Sequence, residues 1–191
     1  RVQGVFGNLK FDAAPNADQL ATGHVWRSGA GRPVVMFASS REGEEALFLQ
    51  LLASHPTPAP VQGSHSEVHP LAPDVQWLLV PRHPQRFDEV AALIERHGFE
   101  VSRRSLWRDA PPVMDPEASR PVVWLGDSLG EMALYYGLAD LALLGGSFEP
   151  LGGQNLIEAA ACACPVVTGP HLFNFAEAAE LAVAAGAAVR V

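Results

Sequence analysis

Cysteine is nearly absent from this 191-residue sequence: only Cys162 and Cys164 occur, both in an apolar run that ends at Pro165. Two thiols at that spacing make neither a disulfide framework nor a C-x-x-C redox or zinc motif, and they read as buried thiols of a reducing compartment. Long apolar runs are missing too. No stretch approaches the roughly 18–20 consecutive apolar residues of a membrane-spanning helix, and no signal peptide opens the chain. Basic charge is short, with 13 Lys and Arg against 21 Asp and Glu and a formal net charge of −8. A sequence-tolerant nucleic-acid binder needs a basic face, so DNA and RNA are excluded as partners. The deficit is also uneven: residues 121–189 hold 7 acids and no Lys or Arg, with Arg190 just beyond. An anionic ligand must therefore find its cations in the first 120 residues, or rely on backbone dipoles.

Hydrophobic residues make up 48% and charged residues 18%, which excludes disorder and fits a globular chain of one or two domains. Short apolar runs alternate with helical-period segments, the pattern of a doubly wound, mainly parallel α/β sheet with Rossmann-like helices on both faces. Strands are expected at Pro33–Ala38, Trp77–Val80, Phe99–Ser102, Val122–Leu125, Leu141–Leu144, Pro165–Thr168 and from Ala187. Ser39 with Glu42 has capping-box spacing, ahead of a helical stripe formed by Leu47, Phe48, Leu51 and Leu52. Phe87, Val90, Ala91 and Ile94 give a helix closed by Gly98, and another helix is expected from about Leu129 to Tyr136. Asn155 with Glu158 and Asn174 with Glu177 mark two further helix starts. Residues 55–75, with five prolines and three histidines, read as an extended surface loop in preference to a metal site. No internal repeat divides the chain, so 1–191 reads as one domain; its start without Met and its strand-like end read as a piece of a longer protein.

In open parallel sheets ligands bind beyond the carboxyl ends of the strands, so the strand exits hold the candidate chemistry. The first exit is Ser39-Ser40-Arg41-Glu42-Gly43-Glu44-Glu45, with one glycine and four charged residues where a dinucleotide fold carries G-x-G-x-x-G. Neither a Walker A sequence nor the G-x-S-x-G of a serine hydrolase occurs, although Gly126-Asp127-Ser128 follows a strand. Arg82 and His83 leave a strand just before Pro84 and suit a phosphate or carboxylate; the plain alternative is a surface Arg and a loop-capping His. Gly145-Gly146-Ser147 opens a loop with four glycines that runs to Asn155, where backbone N–H groups and a helix N-terminus favour an anion. The alternative there is a flexible connection. Glu158 fits a structural capping box and equally fits an acceptor for a ribose diol, and spacing leaves both open.

Taken in order, these exits resemble the carboxyl-terminal half of the 3-deoxy-D-manno-octulosonic acid (Kdo) transferases. The residues that carry the resemblance are Gly7-Asn8-Leu9-Lys10-Phe11-Asp12, Ala38 to Glu45, Leu79 to Pro84 with Arg86-Phe87, Gly126 to Ser128 with Gly130-Glu131, and Tyr136-Gly137 with Ala139-Asp140. Gly145 to Ser147, Gly152 to Asn155 with Glu158-Ala159, and Gly169 to His171 with Phe173 to Phe175 complete it. The resemblance implies one half of a GT-B glycosyltransferase that binds CMP-Kdo, with no metal and no cofactor. The implied acceptor is the tetraacylated, phosphorylated disaccharide precursor of lipid A, at the cytoplasmic face of the inner membrane.

Carried over by residue, Ser40, Arg41, Arg82 and His83 address the phosphate and sugar carboxylate of the donor. Gly145, Gly146 and Ser147 admit the nucleotide, and Asn155 and Glu158 hold its phosphate and ribose ends. Residues 1–15 become the linker to an absent amino-terminal acceptor domain, which in this family holds the catalytic base, so the chain alone is expected to bind donor without transferring sugar. Gln154 stands where the family often has His, and the 55–75 loop exceeds the expected connection. The alternatives are the donor domain of another GT-B enzyme using a UDP- or GDP-sugar, and a non-catalytic nucleotide-binding module.

Overall fold

A computed structural model of the chain describes residues 14–54, 75–112 and 120–191. The linker expected over 1–15 and the loop over 55–75 lie outside these residues apart from positions 14, 15 and 75, as does the Gly7–Asp12 motif. Among the described residues seven strands form a single sheet: β1 (Val34–Ser40), β2 (Gln76–Pro81), β3 (Glu100–Arg103), β4 (Val122–Leu125), β5 (Leu141–Leu144), β6 (Val166–Thr168) and β7 (Ala188–Arg190). Their order is β3-β4-β2-β1-β5-β6-β7, and every pairing is parallel. The chain starts mid-sheet at β1, builds outward through β2 to the edge strand β3, then returns to insert β4. It next crosses to the other side of β1 to lay down β5, β6 and β7. The order reverses between β1 and β5, so the exits of those two strands flank the topological switch point.

Side chains alternate across the sheet as the two-residue strand period requires. Val34, Met36, Ala38, Leu78, Val80, Trp124, Ala142 and Leu144 pack into one core with residues of α1 (Ala17–Gly29), α4 (Met132–Leu138), α5 (Ile157–Ala161) and α6 (Ala176–Ala184). Phe37, Leu79, Val123 and Leu125 point the other way, onto Leu49 of α2 (Glu44–Ser54) and onto Val90, Ala91 and Ile94 of α3 (Phe87–Arg96). The doubly wound reading is thus correct, with helices on both faces.

One helix goes unmarked in the sequence, and three local expectations need correction. No apolar periodicity marks α1, which is capped by Asn16 through its Oδ1, 3.0 Å from the Gln19 amide. This helix buries chiefly Gly23 and Trp26, so it has no recurring apolar stripe, and it crosses α4 where Gly23 meets Gly137. Helix α4 begins at Met132, and Leu129 is exposed in the loop before it. On α2 the deeply buried residues are Glu44, Glu45 and Leu49, while Leu47 and Leu51 are each 48% exposed. Asn174 does not cap α6; its side-chain amide donates to the Leu151 carbonyl (3.2 Å) and its backbone N–H to that of Gly152 (3.1 Å).

Candidate functional site

The exits of β1, β2 and β5 converge at the carboxyl edge of the sheet. Ser40 is the register partner of Pro81, and the Arg82 N–H donates to the Ser40 carbonyl (3.0 Å), so Arg41 and Arg82 leave adjacent strand ends side by side. On the other flank of β1, the Gly145 N–H donates to the Ala38 carbonyl (2.8 Å). A methyl group on Gly145 would lie 2.7 Å from the Ser39 carbonyl carbon and 2.8 Å from Ser40 Cα. Glycine here serves the close approach of two backbones.

Arg86 pairs with Glu45 and Glu89, Arg103 with Asp88 and Asp127, and Arg104 with Glu131. No carboxylate pairs with Arg41, Arg82 or His83 among the described residues. Two arginines and a histidine therefore leave neighbouring strand ends without a carboxylate partner among the described residues, in a chain of net charge −8. Such a cluster favours an anion with more than one negative group.

The other expected residues play different parts. Ser40 is fully buried and its Oγ donates to Glu45 Oε1 (2.9 Å). Ser147 is also fully buried; its Oγ donates to the Leu144 carbonyl and accepts the Gly169 N–H (2.9 Å), tying the β5 exit to the β6 exit. The Gly146 N–H, which loop composition alone would offer to an anion, already donates to both oxygens of Glu44, each at 2.8 Å. Arg41 and the Arg82–His83 pair thus present side chains, whereas Ser40, Gly145, Gly146 and Ser147 shape the backbone around them.

Asn155 and Glu158 do meet. Asn155 Oδ1 accepts the Ile157 N–H and its amide donates to Glu158 Oε1, both at 3.1 Å. Helix α5 has only five residues, so the dipole expected behind this loop is small. Glu158 is exposed and lines a cleft of about 360 Å³ with Asn16, Gln19, Gly130, Tyr136 and Cys162. Gln19 spans this cleft, its amide donating to the Gly130 carbonyl (2.8 Å). Burial, with Glu158 as the next cause, pushes the Tyr136 phenol well above its ordinary range. The side chains that α1 contributes here escaped the sequence reading because α1 itself did.

Glu44 and Glu45 stand in the first strand exit, but nothing in their spacing marks them as buried. Burial pushes the Glu44 carboxyl above its ordinary value; bonds from the Gly146, Arg41 and Phe148 amides act against that, and the neighbouring Glu45 charge adds to it. Asp127, after β4, is pinned by Arg103 Nε (2.6 Å) and by the Ser105 N–H (2.8 Å) and Oγ (2.7 Å). Burial acts to raise its carboxyl, but the Ser105 amide and the Arg103 guanidinium outweigh it and hold the group below its usual range. Ser128 bonds to Glu131 and Tyr135, completing a structural network at this exit. Among the described residues no three His, Cys, Asp or Glu side chains are grouped as metal ligands, and no helix is long and apolar enough to cross a membrane.

No family model matches the chain. It is 49% identical over 187 residues to the 3-deoxy-D-manno-octulosonic acid transferase of Bordetella pertussis, covering 97% of this chain and 40% of that protein. It is 36% identical over 179 residues to the transferase of the same name from Haemophilus influenzae, covering 91% of this chain and 36% of that one. The chain thus spans about two fifths of the length of these relatives. Among solved structures it is similar to the C-terminal CMP-Kdo binding domain of WaaA from Acinetobacter baumannii, with a TM-score of 0.71 and 28% identity. That match covers 92% of this chain and 83% of the other.

Proposed function

This chain belongs to the Kdo transferase family, as its carboxyl-terminal GT-B domain, and on that premise we propose that it binds the activated sugar CMP-Kdo at the carboxyl edge of its sheet. The observation that carries the reading is the placement of Arg41 and Arg82 side by side on the ends of β1 and β2, with no carboxylate pairing either among the described residues. CMP-Kdo offers two anions, a phosphodiester and a sugar carboxylate, which suit Arg41, Arg82 and His83 together. The cleft lined by Glu158 takes the nucleoside, with the Glu158 carboxylate accepting from the ribose diol and Asn155 orienting it.

On this reading the domain does the donor half of the chemistry. As the glycosidic bond to phosphate breaks, negative charge grows on the departing CMP, and the guanidinium groups of Arg41 and Arg82 stabilise that charge. No metal or cofactor enters the scheme. The acceptor, a hydroxyl of the phosphorylated disaccharide precursor of lipid A, and the base that deprotonates it belong to the rest of a full-length enzyme at the cytoplasmic face of the inner membrane. The chain alone then binds donor without transferring it.

Arg82→Ala tests the reading. Losing a charge-assisted contact worth about 1.5–3 kcal/mol weakens CMP roughly 10- to 100-fold, measured by calorimetric titration. Equal affinity in wild type and variant argues for a nucleotide module that does not use this edge.

A further inference from the structure

The donor-site residues named above do not hold themselves in place. Three strand exits meet at the first turn of α2, and two consecutive buried glutamates join them. Glu44, 3% exposed, receives the Gly146 N–H on both oxygens (2.8 Å each) and the Arg41 N–H on Oε2 (2.9 Å). Glu45, fully buried, receives Ser40 Oγ (2.9 Å) and Arg86 Nη1 (2.8 Å) on Oε1. One carboxylate thus ties the β1 exit to the β5 exit, and the next ties it to the turn after β2.

Burying a carboxylate is costly unless donors surround it, and a site that collects backbone N–H groups from two separate loops compensates that cost in one geometry only. That geometry fixes the backbone of Arg41, whose side chain has no ion-pair or hydrogen-bond partner among the described residues, against the loop beginning at Gly145. We propose that Glu44 is a positioning residue for the donor: it never touches CMP-Kdo, but sets the distance between the Arg41 backbone and the β5 exit loop. The inference rests on the donor-site reading above. A rival role for the same carboxylate is that of an occupant competing with the donor for the Gly146 amide. The two differ in sign, since removing a competitor tightens binding and removing a support weakens it.

The test compares wild type with Glu44→Gln, which keeps length but turns an NH₂ toward N–H donors, and Glu44→Asp, which keeps charge but withdraws it by one carbon–carbon bond. Glu180→Gln, an exposed site on α6, is the control. CMP affinity is read by titration of ¹⁵N-labelled protein at a temperature where circular dichroism reports each protein folded. The expected result is a loss of about tenfold in affinity for both Glu44 variants, the size of one charge-assisted hydrogen bond, with faster amide exchange at Gly146 and Arg41 and unchanged affinity in the control. Wild-type affinity in both Glu44 variants, or tighter binding in either, overturns the positioning role. A wild type that binds no CMP instead overturns the donor reading beneath it. If Glu44→Gln does not fold, the Asp variant decides: wild-type exchange at Gly146 and Arg41 there overturns the proposal.

Discussion

Replacing Gly145 with alanine puts a methyl group into the seam between β1 and β5. The new carbon overlaps the Ser39 carbonyl oxygen and comes 2.7 Å from the Ser39 carbonyl carbon and 2.8 Å from Ser40 Cα, all of it backbone. Neither side yields easily: β1 and β5 are paired from Val35–Leu141 to Ala38–Leu144, and the Gly145 N–H closes that ladder on the Ala38 carbonyl at 2.8 Å. Overpacking a well-filled site costs about 1–3 kcal/mol, and the rigid backbone places this case toward the upper end. Alanine recovers about 0.4–1 kcal/mol by restricting the unfolded chain, leaving a net loss of roughly 2 kcal/mol. For a domain of this size that lowers Tm by about 4–8 °C. Thermal unfolding followed by circular dichroism measures it, with Gly29→Ala as comparator: nothing lies within 4 Å of the added carbon at Gly29 and its φ is not positive, so that variant melts with or slightly above the wild type. Because the strained seam carries Ser40 and Arg41, CMP affinity of Gly145→Ala falls as well. A variant that melts with the wild type and binds CMP equally would show that the two exits are not in the contact described.

Asp127 gives a pH-dependent counterpart. Its folded carboxyl lies below its ordinary value of 3.8, so its contribution to stability is present above about that pH and disappears as pH falls through the folded value. Asp127→Asn therefore loses about 2–4 kcal/mol at pH 7, as expected when one partner of a buried ion pair is removed and the other is partly exposed. Urea unfolding at pH 7 and at pH values stepped down through and below 3.8 checks this; a gap between variant and wild type that stays constant over that whole range would contradict it.

The strands were legible because each is a short apolar run, as a parallel sheet buried on both faces requires. Pro33–Ala38 and Val122–Leu125 differ from the observed β1 and β4 by at most two residues at either end. Strand order was not legible, since nothing in the sequence of β3 says that β4 will insert between it and β2. Helix α1 escaped because its packing against α4 is made by a glycine pair, Gly23 and Gly137, which leaves no apolar period to read. At the site, the strand exits point to Arg82, His83 and the loop to Asn155, since chemistry collects at those edges, whereas Arg41 enters through the family resemblance. The sequence did not show that Gly146 donates inward to Glu44, because a glycine-rich loop followed by a helix reads the same whether its N–H groups face a ligand or a buried carboxylate.

A donor site built from Arg41, Arg82, His83 and the Asn155–Glu158 pair is tested most directly by titrating the ¹⁵N-labelled chain with CMP, and with UMP and GDP in parallel. Such a site gives saturable shifts with CMP, concentrated at Arg41, Arg82, Gly146, Asn155 and Glu158 and sharing one dissociation constant, with much weaker responses to UMP and GDP. Shifts scattered over the surface, equal responses to the three nucleotides, or none at millimolar CMP would contradict it.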